Sequence, residues 1–227
     1  MRLYLFSMVF LALAFVGCQE KKVDVKKDQL SHKTSDYNIS VERSVFSSTD
    51  ETLNKSCQEL NKATEALVQE LSESLKKEAT DFFQDMAAQE MERPAWGYEL
   101  MVDDSVFMAS SKYISVRLRT YTFTGGAHGM TKFYTFNYDV EQQKMLKNEE
   151  ILDFAKSDVI DAQLEANFQN PENCFSEKPT LKLANGVNIS STGVVFTYEQ
   201  YVLGAYACGV AEVTVPRAAL KDALLVR

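Results

Sequence analysis

The amino-acid sequence predicts an α+β fold, in which a mainly antiparallel sheet packs with a long N-terminal amphipathic helix and further helices. Residues 53–91 repeat apolar side chains at helical spacing, whereas many of the flanking segments alternate apolar and polar residues as strands do. The strands and helices do not follow one another as βαβ units. Such an order favours an antiparallel sheet over a parallel one.

The first predicted elements are a strand and the long helix. In residues 37–46, Ile39, Val41 and Val45 alternate with polar side chains, and Ser47–Asp50 then provide helix-start chemistry. We expect the helix to run from about Leu53 until Pro94 ends it, with a break near Thr80. The predicted core-facing stripe of this helix is Leu60, Ala63, Leu67, Leu71, Leu75, Phe82, Phe83 and Met86.

The rest of the chain is predicted to be mostly β structure. The predicted elements are two short strands over residues 96–110 around a polar turn at Asp103–Asp104, strands over 112–124 and 132–140, a helix over 151–168, a loop over 171–184, a hairpin over 186–201, a strand over 209–216 and a short final helix.

The N-terminus reads MRLYLFSMVFLALAFVGCQEKK. Arg2 is followed by an apolar run that is too short to be a lasting membrane span, because a spanning helix needs about 20 apolar residues. The run ends in Gly17-Cys18, a small residue before a cysteine, which is the bacterial lipoprotein cleavage pattern. We therefore expect residues 1–18 to be a lipoprotein signal with Cys18 as the lipidated residue. The alternative is an ordinary signal peptide with a chance cysteine.

Lipidation at Cys18 predicts an extracytoplasmic protein anchored to the cell envelope, on the inner or the outer membrane. Residues 19–36 are rich in Lys, Asp, Ser and Gln, so we expect them to form a flexible tether. The segments 37–125 and 126–227 are predicted to be two consecutive subdomains.

The charge balance restricts the partners. The formal net charge is −8, and removing Arg2 with the signal makes it −9, because Lys and Arg fall from 24 to 23 against 32 Asp and Glu. The sequence has no dense block of basic residues, so nucleic acid is not an expected partner. A cationic partner is favoured by electrostatic steering, and the alternative is that the charge serves solubility alone.

Three cysteines remain after Cys18, and an envelope location favours one disulfide and one free thiol. Three pairings of Cys57, Cys174 and Cys208 are possible. We favour Cys174 with Cys208 because both lie in the C-terminal half. The cysteine spacing has no CxxC and no metal-ligand pattern, so neither a metal nor a cofactor is expected.

The TGGAHG segment at residues 124–129 is the main candidate site, because it places His128 in a glycine-rich connection between two predicted strands. Gly125 and Gly126 permit positive φ or close backbone approach. His128 is interpreted as structural, with partner contact and acid–base catalysis as alternatives. Exposure of His128 beside Tyr201 or Tyr206 favours partner contact.

Aromatic residues are dense in the second half of the sequence. Most are expected to be core or cross-strand pairs, although aromatic rows can also stack on sugars or anchor a partner. Tyr201 and Tyr206 are the expected exceptions, since they flank Gly204 in a loop. Glu199 is a candidate binding residue, with a structural hydrogen-bond acceptor as the alternative.

Two stretches carry a family resemblance. TFTGGAHGMTKFYTFNYDVEQQKML, then Leu152-Asp153 at a predicted helix start, then GVNISSTGVVFTYEQYVLGAYACGVAEVTVPRAAL resemble bacterial envelope domains of unknown function. Such domains form the extracytoplasmic part of RsiV-type anti-sigma factors, and a related pair precedes the catalytic domain of PdaC-type peptidoglycan deacetylases. The resemblance covers about residues 37–225, in two pieces that meet near residue 125.

The resemblance implies binding rather than a reaction. RsiV-type receptors bind lysozyme, so it implies lysozyme or peptidoglycan as a partner. We therefore expect a lipid-anchored binding or sensing module of the envelope that is not an enzyme. The alternatives are a cell-wall glycan-acting enzyme that uses His128 and a purely structural lipoprotein.

Overall fold

The computed structural model describes residues 21–226, which form two β-sheets, one long helix and three short ones. The predicted signal and lipidation site at residues 1–18 lie outside the described residues. The strands are β1 (Asp24–Lys33), β2 (Tyr37–Ser47), β3 (Tyr98–Ala109), β4 (Tyr113–Phe123), β5 (Met130–Asp139), β6 (Lys144–Met145), β7 (Gly186–Ile189), β8 (Gly193–Tyr198) and β9 (Ala211–Pro216). The helices are α1 (Glu51–Ala88), α2 (Asn148–Ile151), α3 (Ser157–Asn167) and α4 (Arg217–Leu220), with 3-10 turns at 154–156, 181–183, 206–208 and 221–223.

The larger sheet contains six strands in chain order, β1 to β6, and the smaller sheet contains β7, β8 and β9. All neighbouring strands are antiparallel except β2 and β3, which are parallel. This pair is parallel because α1 carries the chain back to the starting end of the sheet before β3 begins. The predicted α+β fold with a mainly antiparallel sheet and a long N-terminal helix is confirmed.

Helix α1 packs on one face of the larger sheet. It begins at Glu51 because the Asp50 carboxylate accepts a hydrogen bond from the Leu53 amide at 2.9 Å. That bond, together with Lys21, lowers the pKa of Asp50. The helix continues without interruption to Ala88, so the predicted break near Thr80 is wrong.

The buried stripe of α1 also differs from the prediction in its middle. Thr64 and Val68 are buried there, whereas Ala63 and Leu67 are only partly buried. The Thr64 hydroxyl donates to the Asn61 carbonyl at 3.0 Å. A polar side chain satisfied in this way can be buried, and a search for apolar residues alone does not find it.

The predicted flexible tether is wrong over Asp24–Lys33, which form the edge strand β1. All ten residues of β1 are exposed, so the strand has no apolar face that the sequence could reveal. Its order comes from backbone pairing with β2 and from polar contacts. Gln29 Nε2 donates to Glu42 at 2.7 Å, and Lys27 forms an ion pair with Asp104.

The predicted turn at Asp103–Asp104 is also wrong, because β3 passes through both residues as one strand. Arg119 on β4 donates to both carboxylate oxygens of Asp103. Asp104 accepts from the Ser44 amide at 3.1 Å and pairs with Lys27. Arg119 on β4 and Lys27 on β1 therefore neutralise two acidic residues that otherwise favour turns.

The predicted helix over 151–168 is divided in the structure. Leu152 leaves the end of α2 in an extended conformation and forms an isolated β-bridge with Leu224. Asp153 then caps a 3-10 turn by accepting from the Ala155 amide at 3.1 Å, and α3 begins only at Ser157. A contact with the C-terminal segment interrupts a pattern that is locally helical.

A buried asparagine joins the two sheets. Asn137 on β5 donates through Nδ2 to the Val187 carbonyl at 2.8 Å and accepts at Oδ1 from the Ile189 amide at 3.1 Å. The same oxygen accepts from the Ser115 hydroxyl at 2.7 Å. The Asn137 side chain thus forms with β7 the pair of bonds that a strand backbone would form.

Arg117 on β4 makes a second connection between the sheets. Its guanidinium donates to the Thr197 hydroxyl at 2.6 Å and pairs with Glu212 at 2.7 Å. The Phe133 ring lies against the guanidinium, 4.7 Å from centroid to Cζ. Arg117 is buried, and its ion pair reaches the solvent-exposed edge at Glu212.

Cys174 and Cys208 form a disulfide with a Cα–Cα distance of 5.6 Å, which is the pairing that the sequence analysis favours. It links the loop after α3 to the loop between β8 and β9. Cys57 is a free, buried cysteine on α1. Burial raises the pKa of its thiol to about 11.

Candidate functional site

The TGGAHG loop connects β4 to β5 at one end of the larger sheet, and its glycines are required by position. Gly125 has φ +98°, and a Cβ atom there would lie 2.5 Å from the ring of Trp96. Gly126 has φ +93° with open space around it. Both φ values disfavour other residues, and Gly125 also lets the loop pass directly over Trp96.

The loop presents His128 at the surface, beside both tyrosines that the sequence singled out. The His128 ring stacks on Tyr206 with 3.8 Å between ring centroids. Its Nδ1 lies 3.0 Å from the Gly129 carbonyl, and its Nε2 lies 3.4 Å from the Tyr201 hydroxyl. Because a carbonyl can only accept, Nδ1 carries a proton in this contact. We call His128, Tyr201 and Tyr206 the aromatic trio.

The two tyrosines come from the loop between β8 and β9, which the disulfide holds in place. Tyr206 donates its hydroxyl to the Gly129 carbonyl at 3.0 Å and lies two residues before Cys208. Tyr201 has φ +70°, an unusual conformation for an aromatic residue, and is 57% exposed. Gly204 fits closely against the Cys174 carbonyl, at 3.1 Å from where its Cβ would be.

Glu199 does not join the aromatic trio through its carboxylate. Its Oε1 accepts from the Phe133 amide at 2.8 Å, and the neighbouring Gln200 accepts from the Thr131 amide at 3.3 Å. Both amides lie on β5, so the two side chains satisfy backbone donors at the open part of its edge. The structural alternative considered for Glu199 describes this contact, and sequence reasoning missed the parallel role of Gln200.

A second feature adjoins the trio, a cleft of 530 Å³ at the same end of the larger sheet. We call it the aromatic cleft. The rings that line it are Tyr37, Trp96, Tyr98, Tyr121, Phe123 and His128. Sequence reasoning missed it, because it depends on the parallel register that places Tyr37 opposite Tyr98. The only tryptophan of the chain, close to Pro94, was the available signal.

Three aromatic residues in the second half of the sequence lie in the core. Tyr138, Tyr198 and Phe133 are buried, in agreement with a core role, and desolvation raises the pKa of Tyr138 and of Tyr198. Within residues 21–226, no group of three or more His, Cys, Asp or Glu side chains is arranged to hold a metal ion. In the same part of the chain, no helix is long and apolar enough to cross a membrane.

Comparison with known families accounts for most of the chain. Residues 20–131 match the family model described as Deacetylase PdaC, and residues 140–218 match that of a protein of unknown function, DUF3298. The two matches follow one another along the chain, and each covers less than half of it. The resemblance to a PdaC-type region and to a domain of unknown function is therefore confirmed.

Solved structures show the same fold. A DUF3298 family protein from Bacteroides fragilis NCTC 9343 is similar with a TM-score of 0.61 at 18% identity, over 91% of this chain and 95% of that one. A DUF3298 family protein from Pseudomonas aeruginosa PAO1 gives 0.54 at 17% identity, over 89% and 94%. A comparison with curated proteins gives no significant match.

Proposed function

We propose that the protein is a lipid-anchored, extracytoplasmic binding module of the cell envelope, and that the aromatic trio belongs to its contact surface. The observation that carries this proposal is the exposure of His128 and Tyr201 side by side, with Tyr201 on a loop that the disulfide holds in place. Tyrosine and histidine rings held in this way offer contact area at little entropic cost. The Gly17-Cys18 pattern supports the anchor, and the family resemblance supports the envelope location.

The contacts of His128 support display to a partner rather than catalysis. One ring nitrogen is engaged with the Gly129 carbonyl, the other faces the Tyr201 hydroxyl, and one ring face is covered by Tyr206. A general base needs a nitrogen that can reach a substrate proton. We therefore propose that the protein is not an enzyme and that His128 serves in binding.

Two classes of partner fit this proposal, peptidoglycan and a cationic protein such as lysozyme. The negative charge supports the cationic protein, because opposite net charges accelerate encounter at low salt. The family resemblance supports both. Capture of lysozyme through charge should weaken as salt rises, whereas capture of uncharged glycan should not.

The deciding experiment is capture by the immobilised full chain of purified lysozyme and, separately, of insoluble peptidoglycan. We expect at least one to be retained, and we expect Tyr201→Ala and His128→Ala to reduce its retention. Phe154→Ala is the matched control, because Phe154 is an aromatic residue that is 40% exposed and lies outside the trio. Thermal unfolding of each variant separates loss of binding from loss of folding.

Two outcomes would contradict the proposal. Retention of neither ligand would remove the binding function. Hydrolysis or deacetylation of peptidoglycan by the full chain, lost in a folded His128→Ala variant, would show that the enzyme alternative is correct.

A further inference from the structure

We infer that the aromatic cleft is a saccharide-binding site. Under the proposed function its natural occupant is the glycan strand of peptidoglycan, and only this identity rests on that proposal. The cleft lies next to the aromatic trio and shares His128 with it. Its other walls come from the end of β1, the β1–β2 turn, the segment before β3 that carries Trp96, and strands β2, β3 and β4. Its volume of 530 Å³ is within the range of small-ligand sites.

The first argument is a rigid aromatic wall. Trp96 lies parallel to Phe82 with 5.9 Å between centroids, and it meets the edge of Phe123 at 5.7 Å. Gly125 packs against the same indole. Trp96 is therefore fixed before any ligand arrives. A fixed ring offers the apolar face of a sugar a stacking surface without an ordering cost.

The second argument is a row of polar groups beside these rings. Four residues lie opposite one another across the adjacent strands β1, β2, β3 and β4, namely Lys33, Asn38, Glu99 and Phe123. The side chains of Lys33, Asn38 and Glu99 have no hydrogen-bond or ion-pair partner within residues 21–226, and neither does the Tyr121 hydroxyl. These groups supply both donors and acceptors, which is the combination that sugar hydroxyl and acetamido groups require.

The third argument concerns charge. The row contains one cation, Lys33, and one anion, Glu99, so the cleft has no excess of either sign among these groups. A phosphate or a metal ion would gain little from such a balance. A neutral, polyhydroxylated ligand with flat apolar faces fits it.

The fourth argument disfavours an extended peptide. Peptides often bind by adding a strand to an open sheet edge. Three of the four strands that line the cleft, β2, β3 and β4, have a hydrogen-bonded neighbour on both sides. The fourth, β1, lines the cleft only through its last residue, Lys33. An added peptide strand would therefore find free backbone groups only at the end of β1.

The test uses the only tryptophan of the chain, because Trp96 lines the cleft and its fluorescence reports on occupancy. The full chain, held in a detergent without a sugar headgroup, is titrated with tetra-N-acetylchitotetraose. We expect a saturable change in Trp96 emission. We expect Glu99→Ala and Tyr121→Ala each to weaken binding about tenfold, since each removes a direct contact.

The control variant is Phe154→Ala, which removes an exposed aromatic ring outside both the trio and the cleft and should leave tetrasaccharide affinity unchanged. Glu99 is partly exposed, and its side chain has no hydrogen-bond or ion-pair partner in the described part of the chain, so Glu99→Ala should unfold like the parent. This variant keeps the test informative if Tyr121→Ala is unstable.

Three results would overturn the inference. Trp96 emission could show no saturable change at millimolar tetrasaccharide, or the parent and both cleft variants could bind the tetrasaccharide with equal affinity. The third is a saturable change with a peptidoglycan stem peptide instead of the tetrasaccharide. These results are separate from the capture experiment. Tetrasaccharide binding without capture of lysozyme or peptidoglycan would contradict only the proposed function. Capture without tetrasaccharide binding would contradict only the inference that the cleft binds a saccharide.

Discussion

At the scale of single residues, Gly125 and Gly126 differ in a way that mutation can separate. Both have positive φ, but only at Gly125 would a Cβ atom collide with Trp96, whereas nothing lies within 4 Å of Gly126. Gly126→Ala should destabilise the fold by about 1 kcal/mol from backbone strain alone. Gly125→Ala should cost more and should shift Trp96 emission. Urea unfolding of both variants measures the difference, and an equal loss of stability would contradict the role of the Trp96 contact.

The residues of the candidate site were only partly predictable. The sequence picked out His128, Tyr201 and Tyr206 individually, from a glycine-rich loop and from tyrosines around Gly204. It did not show that all three meet, because residues 128 and 201 are brought together by the contact between the two sheets. Glu199 was singled out for binding, but its carboxylate accepts a hydrogen bond from a backbone amide at the open edge of β5.

At the scale of elements, the connection between β5 and β7 depends on Asn137. Asn137→Ala would leave the Val187 carbonyl, the Ile189 amide and the Ser115 hydroxyl without this partner in a buried place. We expect a loss of about 3 kcal/mol, because buried polar groups without partners are costly. Chemical denaturation measures it.

The control for this prediction is Gln69→Ala, which removes an exposed amide on α1 and should change stability by less than about 0.5 kcal/mol. If Asn137→Ala were as mild as Gln69→Ala, the hydrogen bonds of Asn137 would not stabilise the contact between the sheets.

The disulfide is the second connection between elements that can be tested. Reduction, or Cys174→Ser with Cys208→Ser, should lower the free energy of unfolding by about 3–4 kcal/mol on the chain-entropy model, for a sequence separation of 34 residues. It should also weaken partner capture, since Tyr206 is held near Cys208. Denaturation with and without dithiothreitol checks the first effect. Unchanged stability and capture would mean that the loop is fixed without the covalent bond.

Element prediction failed where tertiary contacts override local pattern. The apolar periodicity of α1 and the alternating pattern of β4 and β5 were sufficient to predict these elements, because each element packs against the core along its length. Strand β1 escaped prediction because it buries neither face. Strand β3 was divided wrongly because Arg119 on β4 and Lys27 on β1 neutralise its two aspartates.

At the scale of the whole molecule, the membrane anchor is a prediction from sequence alone. Deleting residues 1–18 should give a chain that stays in the aqueous fraction and folds, because the long apolar run lies in that segment. Cys18→Ser should abolish acylation, as mass spectrometry of the mature N-terminus can show. A truncated chain that still sediments with membranes would contradict the proposed anchor.

The two subdomains predicted from the sequence share one sheet. The boundary predicted at residues 125 and 126 falls between β4 and β5, which pair along ten residue positions of the larger sheet. Tyr138 and Val140, beyond the boundary, share a buried cluster with Leu53 and Leu60 of α1. A chain cut at this point would expose both the sheet edge and this cluster.

We therefore expect fragments 19–125 and 126–227 each to lack a cooperative unfolding transition when expressed alone. Mixed together, they should recover part of the parent circular dichroism, because β4 and β5 can pair again. Thermal melting of each fragment and of the mixture measures this. The intact chain nicked by a protease within the exposed TGGAHG loop is the control, since it retains all contacts except one peptide bond. A fragment that melts cooperatively alone would show instead that the two families describe independent domains.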